Sequence, residues 1–389
     1  MQREPEDPQE SGHAQKVLAA IENAVREAGG WIPFDRYMEI VLYAPGLGYY
    51  SAGARKLGAS GDFTTAPEIS ALFGACLARQ CAQVLADSAG DTILEVGAGS
   101  GRLAVDLLRR LEASGAAPAR YMILEVSADL RERQRASIAS QAPELADRVQ
   151  WLDEPPSRSF TGVIVANEVL DALPVTRFRW RPGATEELGV VTGAHGLEIA
   201  ARAADARLAA RCEELRAAAG SQWREGYVSE YCPRLGPWCA AVAGSLAAGA
   251  VLWFDYGLPR AQYYLAERDD GTLIGHYRHR VEADPLARPG LQDLSAWVDF
   301  TALAEAGDAA GFDVAGYTTQ AYFLAATGID GEMRRLAGDD ARRHAGLASE
   351  ARRLLLPGEM GERFKAMAWT RGLQEPLIGF ALRDLRHTL

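Results

Sequence analysis

Residues 93–102, Ile-Leu-Glu-Val-Gly-Ala-Gly-Ser-Gly-Arg, decide the fold of this chain. A short apolar run leads into three glycines at alternate positions, and a helical pattern over 103–111 follows. Glycine lets the backbone turn sharply and lets a ligand approach the main chain closely. The stretch therefore predicts a strand, a tight ligand-binding loop and a helix, in that order.

Two common phosphate-binding loops do not fit these residues. A dinucleotide loop, Gly-x-Gly-x-x-Gly, needs glycine where Arg102 stands, and the P-loop pattern is absent. The pattern that remains places an acid before the glycines, Glu95-x-Gly97-x-Gly99-x-Gly101. It resembles motif I of the class I methyltransferases, which bind S-adenosyl-L-methionine (SAM). SAM carries a sulfonium, an ammonium and a ribose diol, and carboxylates suit these groups better than a phosphate cradle does.

Three polar residues farther along the chain are expected at the same ligand. Glu125 ends the next strand, 24 residues after the last glycine, where an acid can accept both ribose hydroxyls. The alternative for Glu125 is an ordinary acid at a strand end. Asp153 follows the third strand and either faces the adenine amine or is a loop acid next to Pro155-Pro156. The third residue is Asn167, which follows the fourth strand.

Short apolar runs alternate with helical patterns from residue 92 onward. Strands are predicted over 92–96, 121–124, 149–152 and 162–166, with helices over 103–111 and 128–140. This alternation is typical of βαβ units and a parallel, doubly wound sheet. Strands over 175–180, 188–192 and 197–199, a turn at 193–196 and a helix over 205–218 indicate an insertion. The other predicted elements are helices over 14–28, 34–42, 68–85, 235–247, 300–310, 320–327, 340–356 and 361–367 and strands over 251–255, 312–317 and 377–382.

The predicted fold class is α/β: a Rossmann-like class I methyltransferase sheet with an N-terminal helical and loop extension and an inserted α+β subdomain. Residues 1–12 are expected to be a disordered tail, and 13–90 a helical and glycine-rich region that covers the cofactor. Residues 91–174 form the first part of the SAM-binding core, and 175–233 the inserted, substrate-selecting subdomain. Residues 234–389 complete the core and add C-terminal helices.

The composition of the 389 residues, 48% hydrophobic and 24% charged, fits a globular protein. A net charge of −11 argues against a broad basic surface for nucleic acid. Five cysteines without a Cys-x-x-Cys pair argue against disulfides and zinc. No metal is expected, because His276 and His279 lack ligand partners.

The longest apolar stretch, 240–254, is shorter than the ~18–20 residues of a membrane span. Since 1–12 have no signal or transit pattern, we expect a cytoplasmic protein.

Longer strings between about 31 and 365 narrow the resemblance to one family. They are Leu42-Tyr43-x-Pro45-x-x-Gly48-Tyr49-Tyr50, Gly61-Asp62-Phe63-Thr64-Thr65-Ala66-Pro67-Glu68, Asn167-Glu168-x-x-Asp171-Ala172-Leu173-Pro174, Asp255-Tyr256-Gly257, Gly271-Thr272-Leu273, Pro289-Gly290-x-Gln292-Asp293-Leu294 and Val298-Asp299-Phe300. Together they resemble the MidA-like methyltransferases, whose mitochondrial members methylate an arginine of a respiratory complex I subunit during assembly. The resemblance implies SAM-dependent methyl transfer, with S-adenosyl-L-homocysteine as product. Without a transit pattern, the chain is expected to be a bacterial member.

The acceptor side is predicted from the residues after the fourth strand. Many amine and amide methyltransferases carry Asn/Asp-Pro-Pro-aromatic there, whereas this chain has Asn167-Glu168-Val-Leu-Asp171. If 170 onward is helical, Glu168 and Asp171 share one face, and paired carboxylates suit a planar guanidinium. Glu168 is expected to orient the acceptor nitrogen, and Asp171 or Glu230 to take its proton. The alternatives are SAM binding for Glu168, a helix cap for Asp171 and a surface acid for Glu230.

The glycine-rich stretch 45–67 contains two further predicted cofactor contacts, Asp62 and Thr64. Loops of this length are uncommon unless they bind something or cover a site. The stretch is expected to fold over SAM and exclude water. The alternative is a structural loop packed by Tyr49, Tyr50 and Phe63.

Three functions stay open at this point. The leading one is a SAM-dependent protein arginine N-methyltransferase acting on a partner protein, such as a respiratory complex subunit, with no nucleic acid partner. The second is methylation of a small molecule in a buried pocket. The third is a non-catalytic assembly chaperone that binds SAM for stability alone.

Overall fold

The computed structural model of the chain describes residues 8–52, 65–220, 222–278 and 280–389. Its helices are α1 Pro8–Glu27, α2 Phe34–Tyr43, α3 Ala66–Ile69, α4 Ala71–Ser88, α5 Arg102–Ala113, α6 Ala128–Gln141, α7 Ala206–Ala219, α8 Leu235–Ala243, α9 Arg260–Tyr263, α10 Phe300–Ala309, α11 Gln320–Ala326, α12 Ile329–Ala337 and α13 Ala341–Leu355. Short 3₁₀ helices lie at Pro143–Arg148, Ile378–Phe380 and Arg386–Thr388. Its strands are β1 Ile32–Pro33, β2 Thr92–Val96, β3 Arg120–Leu124, β4 Val149–Leu152, β5 Phe160–Asn167, β6 Thr176–Arg179, β7 Glu186–Gly193, β8 Gly196–Ala203, β9 Val228–Tyr231, β10 Leu246–Leu258, β11 Ile274–Tyr277, β12 Arg280–Glu282, β13 Asp293–Ser295, β14 Val298–Asp299, β15 Asp313–Thr319 and β16 Phe364–Arg371.

The central sheet has the order β15-β16-β10-β5-β2-β3-β4, and β14 adds a short pairing to β10. β10, β5, β2, β3 and β4 run parallel, whereas β16 is antiparallel to both of its neighbours. The chain winds from β2 outward to β4 on one side and continues through β5 on the other. In such a sheet a crevice opens beyond the carboxyl ends of the strands, where the order reverses. The predicted α/β class with a parallel, doubly wound sheet is confirmed.

Two apolar cores cover the two faces of this sheet. One lies under α4, α5 and the C-terminal helices, and the other under α8 and α10. The strands carry buried residues on both faces, as the all-buried run of β2 shows. Parallel strands covered on both sides have this continuous apolar character, which is why the sequence pattern located them.

The C-terminal part of the sheet differs from the prediction. Residues 361–367 were expected to be helical and 377–382 to form a strand, but Phe364–Arg371 is the strand and Ile378–Phe380 a single 3₁₀ turn. β16 lies between β10 and β15, with six consecutive buried residues. A short apolar run of this kind has no period that separates a strand from a helix, so tertiary pairing decides. Helix α12 was not predicted.

A second, antiparallel sheet joins the N-terminal region to the insertion. β7 pairs with β8 and β6, and β6 pairs with β9. The short strand β1 pairs with β7 through Ile32 and Val190. Residues of α1 and α2 share an apolar cluster with Val175 and Val190. The N-terminal helices therefore complete the core of the insertion.

Two N-terminal details also differ from the prediction. Helix α1 begins at Pro8, so the expected disordered tail is wrong for residues 8–12, and 1–7 lie outside the described residues. The predicted helix over 68–85 is divided at Ser70, whose backbone is extended and whose side chain accepts a hydrogen bond from the Leu72 amide. Serine favours such a helix start because its side-chain oxygen satisfies an unpaired backbone donor. Among the described helices, none has both the length and the apolar character of a membrane span.

Candidate active site

A cavity of about 640 Å³ lies beyond the carboxyl ends of β2, β3 and β5. Its lining includes the glycine loop, the ends of β3 and β4, the turn after β5, and residues of α2 and α8. The volume is within the ~300–1,000 Å³ of sites for small ligands. We call the part lined by the predicted cofactor residues the cofactor end. The part lined by Glu168, Asp171 and the tyrosines is called the acceptor end.

The glycine loop after β2 has a backbone that other residues adopt only under strain. Gly97, Gly99 and Gly101 all have positive φ, of 67°, 53° and 81°. A Cβ on Gly97 would lie 3.0 Å from a methyl group of Val169, and one on Gly101 3.1 Å from Cα of Gln134. The loop therefore requires glycine for its conformation and for close packing.

Gln134 of α6 joins this loop to Glu125. Its Nε2 donates to the carbonyl of Gly99 at 3.0 Å and to Oε2 of Glu125 at 3.1 Å. Its Oε1 accepts from the indole of Trp151 at 2.9 Å, which fixes the orientation of the amide. Oε1 of Glu125 accepts from the Ser127 amide at 2.9 Å. Burial raises the pKa of Glu125, and these donors oppose the shift.

Glu95, two residues before the glycine loop, lines the cavity as well. It is almost completely buried on β2, and Oε2 accepts a hydrogen bond of 2.6 Å from the hydroxyl of Tyr121. Burial raises the pKa of Glu95 to about 7, and the nearby charge of Glu125 adds to the effect. Glu95 is thus held in place by β3 and lines the cavity together with Glu125.

Asp153 and Asn167 also line the cavity. Asp153 is mostly exposed and forms an ion pair with Arg131, so it lies at the rim. Asn167 is the last residue of β5, and its Nδ2 donates to Oε1 of Glu168 at 3.2 Å. Its Oδ1 is buried, and no described residue donates a hydrogen bond to it. A buried oxygen of this kind needs a donor from elsewhere, such as a ligand.

Glu168 follows Asn167 directly and lines the same cavity. Its φ is +53°, a left-handed conformation that costs a non-glycine residue about 1–2 kcal/mol. Its backbone N–H donates to the Phe254 carbonyl at 2.8 Å, and Oε1 accepts from the Ala66 amide at 3.4 Å. Burial, followed by the charge of Asp171, raises the pKa of Glu168 to about 8. The fold retains both a strained backbone and a buried carboxyl at the cavity wall, which is typical of functional residues.

The turn that carries Asp171 is not the predicted helix. Oδ2 of Asp255, on β10, accepts from the amides of Val169, Leu170 and Asp171 at 3.2, 2.9 and 3.3 Å. In a continuous helix these amides would point along the helix axis. Here they converge on one carboxylate oxygen of Asp255, which holds the segment as a turn. Glu168 and Asp171 nevertheless both line the cavity.

Asp171 is a buried residue of this turn. Its Oδ2 accepts a hydrogen bond of 2.5 Å from the hydroxyl of Tyr256. Burial raises the pKa of Asp171 to about 6, although the Tyr256 donor acts in the opposite direction. Burial and the charges of Asp171 and Glu168 also raise the pKa of Asp255. Among the described residues, no arginine, lysine or histidine forms an ion pair with Glu168 or Asp171.

Glu230 has a different environment from the one expected, and it is not among the residues that line the cavity. It is fully buried on β9, so it is not a surface acid either. Its Oε1 accepts from the hydroxyl of Tyr263 at 2.8 Å and from the amide and hydroxyl of Thr272 at 2.8 and 2.7 Å. These contacts fasten the insertion to the loop before β11. These contacts support a structural role for Glu230, and its role as a proton acceptor stays a prediction.

Asp62 and Thr64 lie outside the described residues. The chain on both sides contacts the cavity: Thr65 and Tyr50 line it. The carboxylate of Glu68 in α3 accepts a hydrogen bond from the hydroxyl of Ser100 in the glycine loop. Glu68 and Ser100 were not predicted as contacts between these two segments.

The acceptor end contains a further acid that the sequence did not single out. Asp293 begins β13, is 3% exposed and lines the cavity. It is part of the quoted string around 289–294, as Asp255 is part of 255–257, and neither was assigned a role. The sequence signal that could have identified both residues is that each is an acid inside one of the strings that resemble the family. Within the described residues, no group of three His, Cys, Asp or Glu side chains is placed to hold a metal ion.

Comparison with known proteins gives one consistent set of relatives. A family model described as "Putative S-adenosyl-L-methionine-dependent methyltransferase" matches residues 76–318. The mitochondrial protein arginine methyltransferase NDUFAF7 of Danio rerio is 30% identical over 377 residues, covering 87% of this chain and 83% of the relative. Its counterpart in Rattus norvegicus is 29% identical over 397 residues, covering 93% and 86%.

Solved structures agree with this result. A Burkholderia thailandensis protein crystallised with S-adenosyl-homocysteine is 43% identical and superimposes with a TM-score of 0.95, with both chains covered completely. A native crystal structure from the same organism is 42% identical, with a TM-score of 0.91 and the same coverage.

Proposed function

Because this chain belongs to the family of S-adenosyl-L-methionine-dependent methyltransferases that its residues 76–318 match, we propose that it methylates an arginine side chain of a partner protein. Its cofactor is SAM, and the product form is S-adenosyl-homocysteine. The observation that carries the arginine assignment is the pair of buried carboxyls, Glu168 and Asp171, on the cavity wall without a described cationic partner. The relatives named as protein arginine methyltransferases support the same acceptor.

The residues at the cofactor end of the cavity fit SAM. Gly97 and Gly99 line the cavity, so the main chain of the loop is open to close approach by a ligand. Glu125 offers carboxylate oxygens to a ribose diol, and the buried Oδ1 of Asn167 can accept from an ammonium group. When bound, SAM supplies a methyl group activated by a sulfonium. Glu95, Asp153, Gly99 and the segment with Asp62 and Thr64 are proposed as further contacts.

Glu168 has the proposed role of orienting the acceptor. A guanidinium presents up to five N–H donors in one plane. A carboxylate that accepts from two of them fixes that plane and draws positive charge away from the third nitrogen, which is then the better nucleophile. The short link from Asn167 to Glu168 places this acid beside the proposed cofactor contact. Holding two reactants in this way is worth up to ~7–11 kcal/mol of the barrier.

Asp171 is the proposed acceptor of the proton that the arginine nitrogen loses after transfer. Its pKa of about 6 is higher than that of an ordinary aspartate, because it is buried. A guanidinium holds its proton to above ~12, so proton loss before methyl transfer is unfavourable. Once the new N–C bond has formed, the carboxylate of Asp171, which the Tyr256 hydroxyl stabilises in its ionised form, takes the proton and becomes neutral, and the methylated guanidinium keeps a single positive charge.

Transfer of labelled methyl groups tests this proposal. The purified chain is incubated with methyl-labelled SAM and a cell lysate, and the labelled species are identified by mass spectrometry. Label on an arginine of a protein is the expected result. Label only in a low-mass fraction would indicate a small-molecule acceptor, and no label would indicate a non-catalytic SAM-binding protein; either result contradicts the proposal.

A further inference from the structure

Helix α3 contacts two segments that follow neighbouring strands of the central sheet. The amide of Ala66, its first residue, donates to Oε1 of Glu168 at 3.4 Å. The carboxylate of Glu68, two residues later, accepts a hydrogen bond from the hydroxyl of Ser100 in the glycine loop. Since β2 and β5 are paired, parallel strands, α3 connects the segments that leave their carboxyl ends. Glu68 is partly buried and lines the cavity.

The hydroxyl of Ser100 also contacts the start of α5. It accepts a hydrogen bond of 3.3 Å from the amide of Arg102, the first residue of that helix. Arg102 lines the cavity, as Ser100 and Glu68 do. A residue that carries a guanidinium and a residue that carries a carboxylate are thereby both fastened to one serine of the glycine loop.

The side chain of Arg102 is positioned by Asp106, one turn farther along α5. Its Nε donates to Oδ2 of Asp106 at 3.1 Å. Close contact between α4 and α5 fixes Asp106, since a Cβ on Gly74 would lie 2.6 Å from Cβ of Asp106. Burial raises the pKa of Asp106, the charge of Arg102 lowers it, and the charge of Glu68 raises it. The charge of Glu68 therefore acts on the same group that holds Arg102.

The amino-acid end of SAM carries charges that match Arg102 and Glu68. An α-carboxylate and an α-ammonium are attached to one carbon, and S-adenosyl-homocysteine keeps both. A guanidinium has further N–H donors on its two terminal nitrogens and pairs with carboxylates in a bidentate way. A carboxylate accepts hydrogen bonds from an ammonium. Because this end of SAM is neutral overall, its binding between opposite charges leaves the net charge of the site unchanged.

We propose that Arg102 binds the α-carboxylate of SAM and Glu68 its α-ammonium, so that the chain selects a methyl donor that carries both charges. This inference concerns the cofactor and goes beyond the proposed arginine acceptor, on which it does not depend. An analogue that lacks one of the two charges leaves a charged group of the site without its partner, and such a loss costs more than the loss of a neutral hydrogen bond.

Calorimetric titration with three ligands tests the two contacts separately. The ligands are S-adenosyl-homocysteine, its decarboxylated analogue and its deaminated analogue, which all share the adenosine and the thioether. The parent is expected to bind S-adenosyl-homocysteine at least roughly tenfold more tightly than either analogue. Arg102→Met should lower the preference over the decarboxylated analogue to about a third or less and leave the other preference unchanged. Glu68→Gln, which can still accept from Ser100, should lower only the preference over the deaminated analogue.

Arg109→Met is the matched control. Arg109 is an exposed arginine of the same helix, its charge also acts on Asp106, and it is not among the residues that line the cavity. This variant should keep both preferences of the parent, and Arg102→Lys, which keeps a positive charge, should keep part of the preference that Arg102→Met loses.

Three results would overturn the inference. They are equal affinity of the parent for all three ligands, parent preferences in both Arg102→Met and Glu68→Gln, and an equal loss of affinity for all three ligands in each variant. The last result would mean that the two residues only support the loop. Each of these results leaves the proposed acceptor untouched, because no acceptor is present in the titrations.

Discussion

Oδ2 of Asp255 accepts a hydrogen bond of 2.9 Å from the backbone amide of Leu170. The amides on either side of Leu170 donate to the same oxygen. One acid on β10 thus sets the direction of the turn that carries Glu168 and Asp171. The acidic end of the cavity depends on this contact as well as on the acids themselves.

Asp255→Ala should therefore disrupt the turn. It leaves three amides without their acceptor, two of them buried, and we expect the free energy of unfolding to fall by about 2–4 kcal/mol. Asp255→Asn retains an acceptor oxygen and should lose less than half as much. Urea unfolding of the three proteins gives the comparison. Equal stability of the Ala variant and the parent would show that the contact does not hold the turn.

Gln134→Ala should weaken binding of S-adenosyl-homocysteine. The change frees the Gly99 carbonyl and Oε2 of Glu125 from their common donor, and we expect an affinity loss of roughly tenfold or more. Gln141→Ala is the control on the same helix, since that side chain is exposed and its amide donates to the hydroxyl of Ser137. Titration calorimetry should show parent affinity for the control. Equal losses in both variants would argue against the bridge.

Gly101→Ala tests the close packing of the loop. Gly101 and Gly115 both have positive φ, so alanine strains the backbone at each by about 1–2 kcal/mol. Only at Gly101 does the new Cβ meet a neighbour, Cα of Gln134 at 3.1 Å, whereas Gly115 is in open space. We expect both variants to lose stability and only Gly101→Ala to lose affinity for S-adenosyl-homocysteine. Parent affinity in both would contradict this explanation.

Stability and activity should change in opposite directions with pH. The pKa of Glu168 is raised to about 8 and that of Asp171 to about 6, whereas unfolded carboxyls titrate near ~4. The folded chain then binds more protons than the unfolded chain, so the free energy of unfolding falls as pH rises from ~4 through about 8. A cationic acceptor needs the ionised carboxyls, so kcat/KM for the acceptor should rise over the same range.

Urea unfolding and initial rates between pH 5 and 9 measure both trends. Glu168→Gln should flatten the fall in stability at the upper end of this range, because it removes the group with the higher pKa. Guanidinium does not titrate here, so the acceptor itself contributes no slope. A kcat/KM that decreases steadily from pH 6 to 8 would mean that protonated carboxyls are the active form.

The sequence predicted the first half of the sheet well. β2 and β4 have the predicted bounds, and Gly97 and Gly99 of the glycine loop line the cavity. These features depend on local rules: continuous apolar runs for buried strands and glycine for positive φ. The strand at Phe364–Arg371 depends instead on pairing with β10 and β15, which lie far away in sequence.

At the acceptor end of the site, too, local sequence rules located some residues and tertiary contacts placed the others. Glu168 and Asp171 were found because they follow a predicted strand, where a doubly wound sheet places ligands. Asp293 reaches the cavity through an antiparallel sheet of short strands, and Glu230 is turned away by Tyr263 and Thr272. No spacing in the sequence reports either contact, since both depend on tertiary structure.

The most direct test of the account separates transfer from cofactor binding at Glu168. Initial rates of methyl transfer to the lysate protein that accepts the label are compared for the parent, Glu168→Gln and Glu144→Gln. Glu144 is an exposed acid that does not line the cavity. We predict a rate at least ~100-fold lower for Glu168→Gln, unchanged affinity for S-adenosyl-homocysteine, and parent behaviour for Glu144→Gln. Transfer by Glu168→Gln at the parent rate would contradict the account.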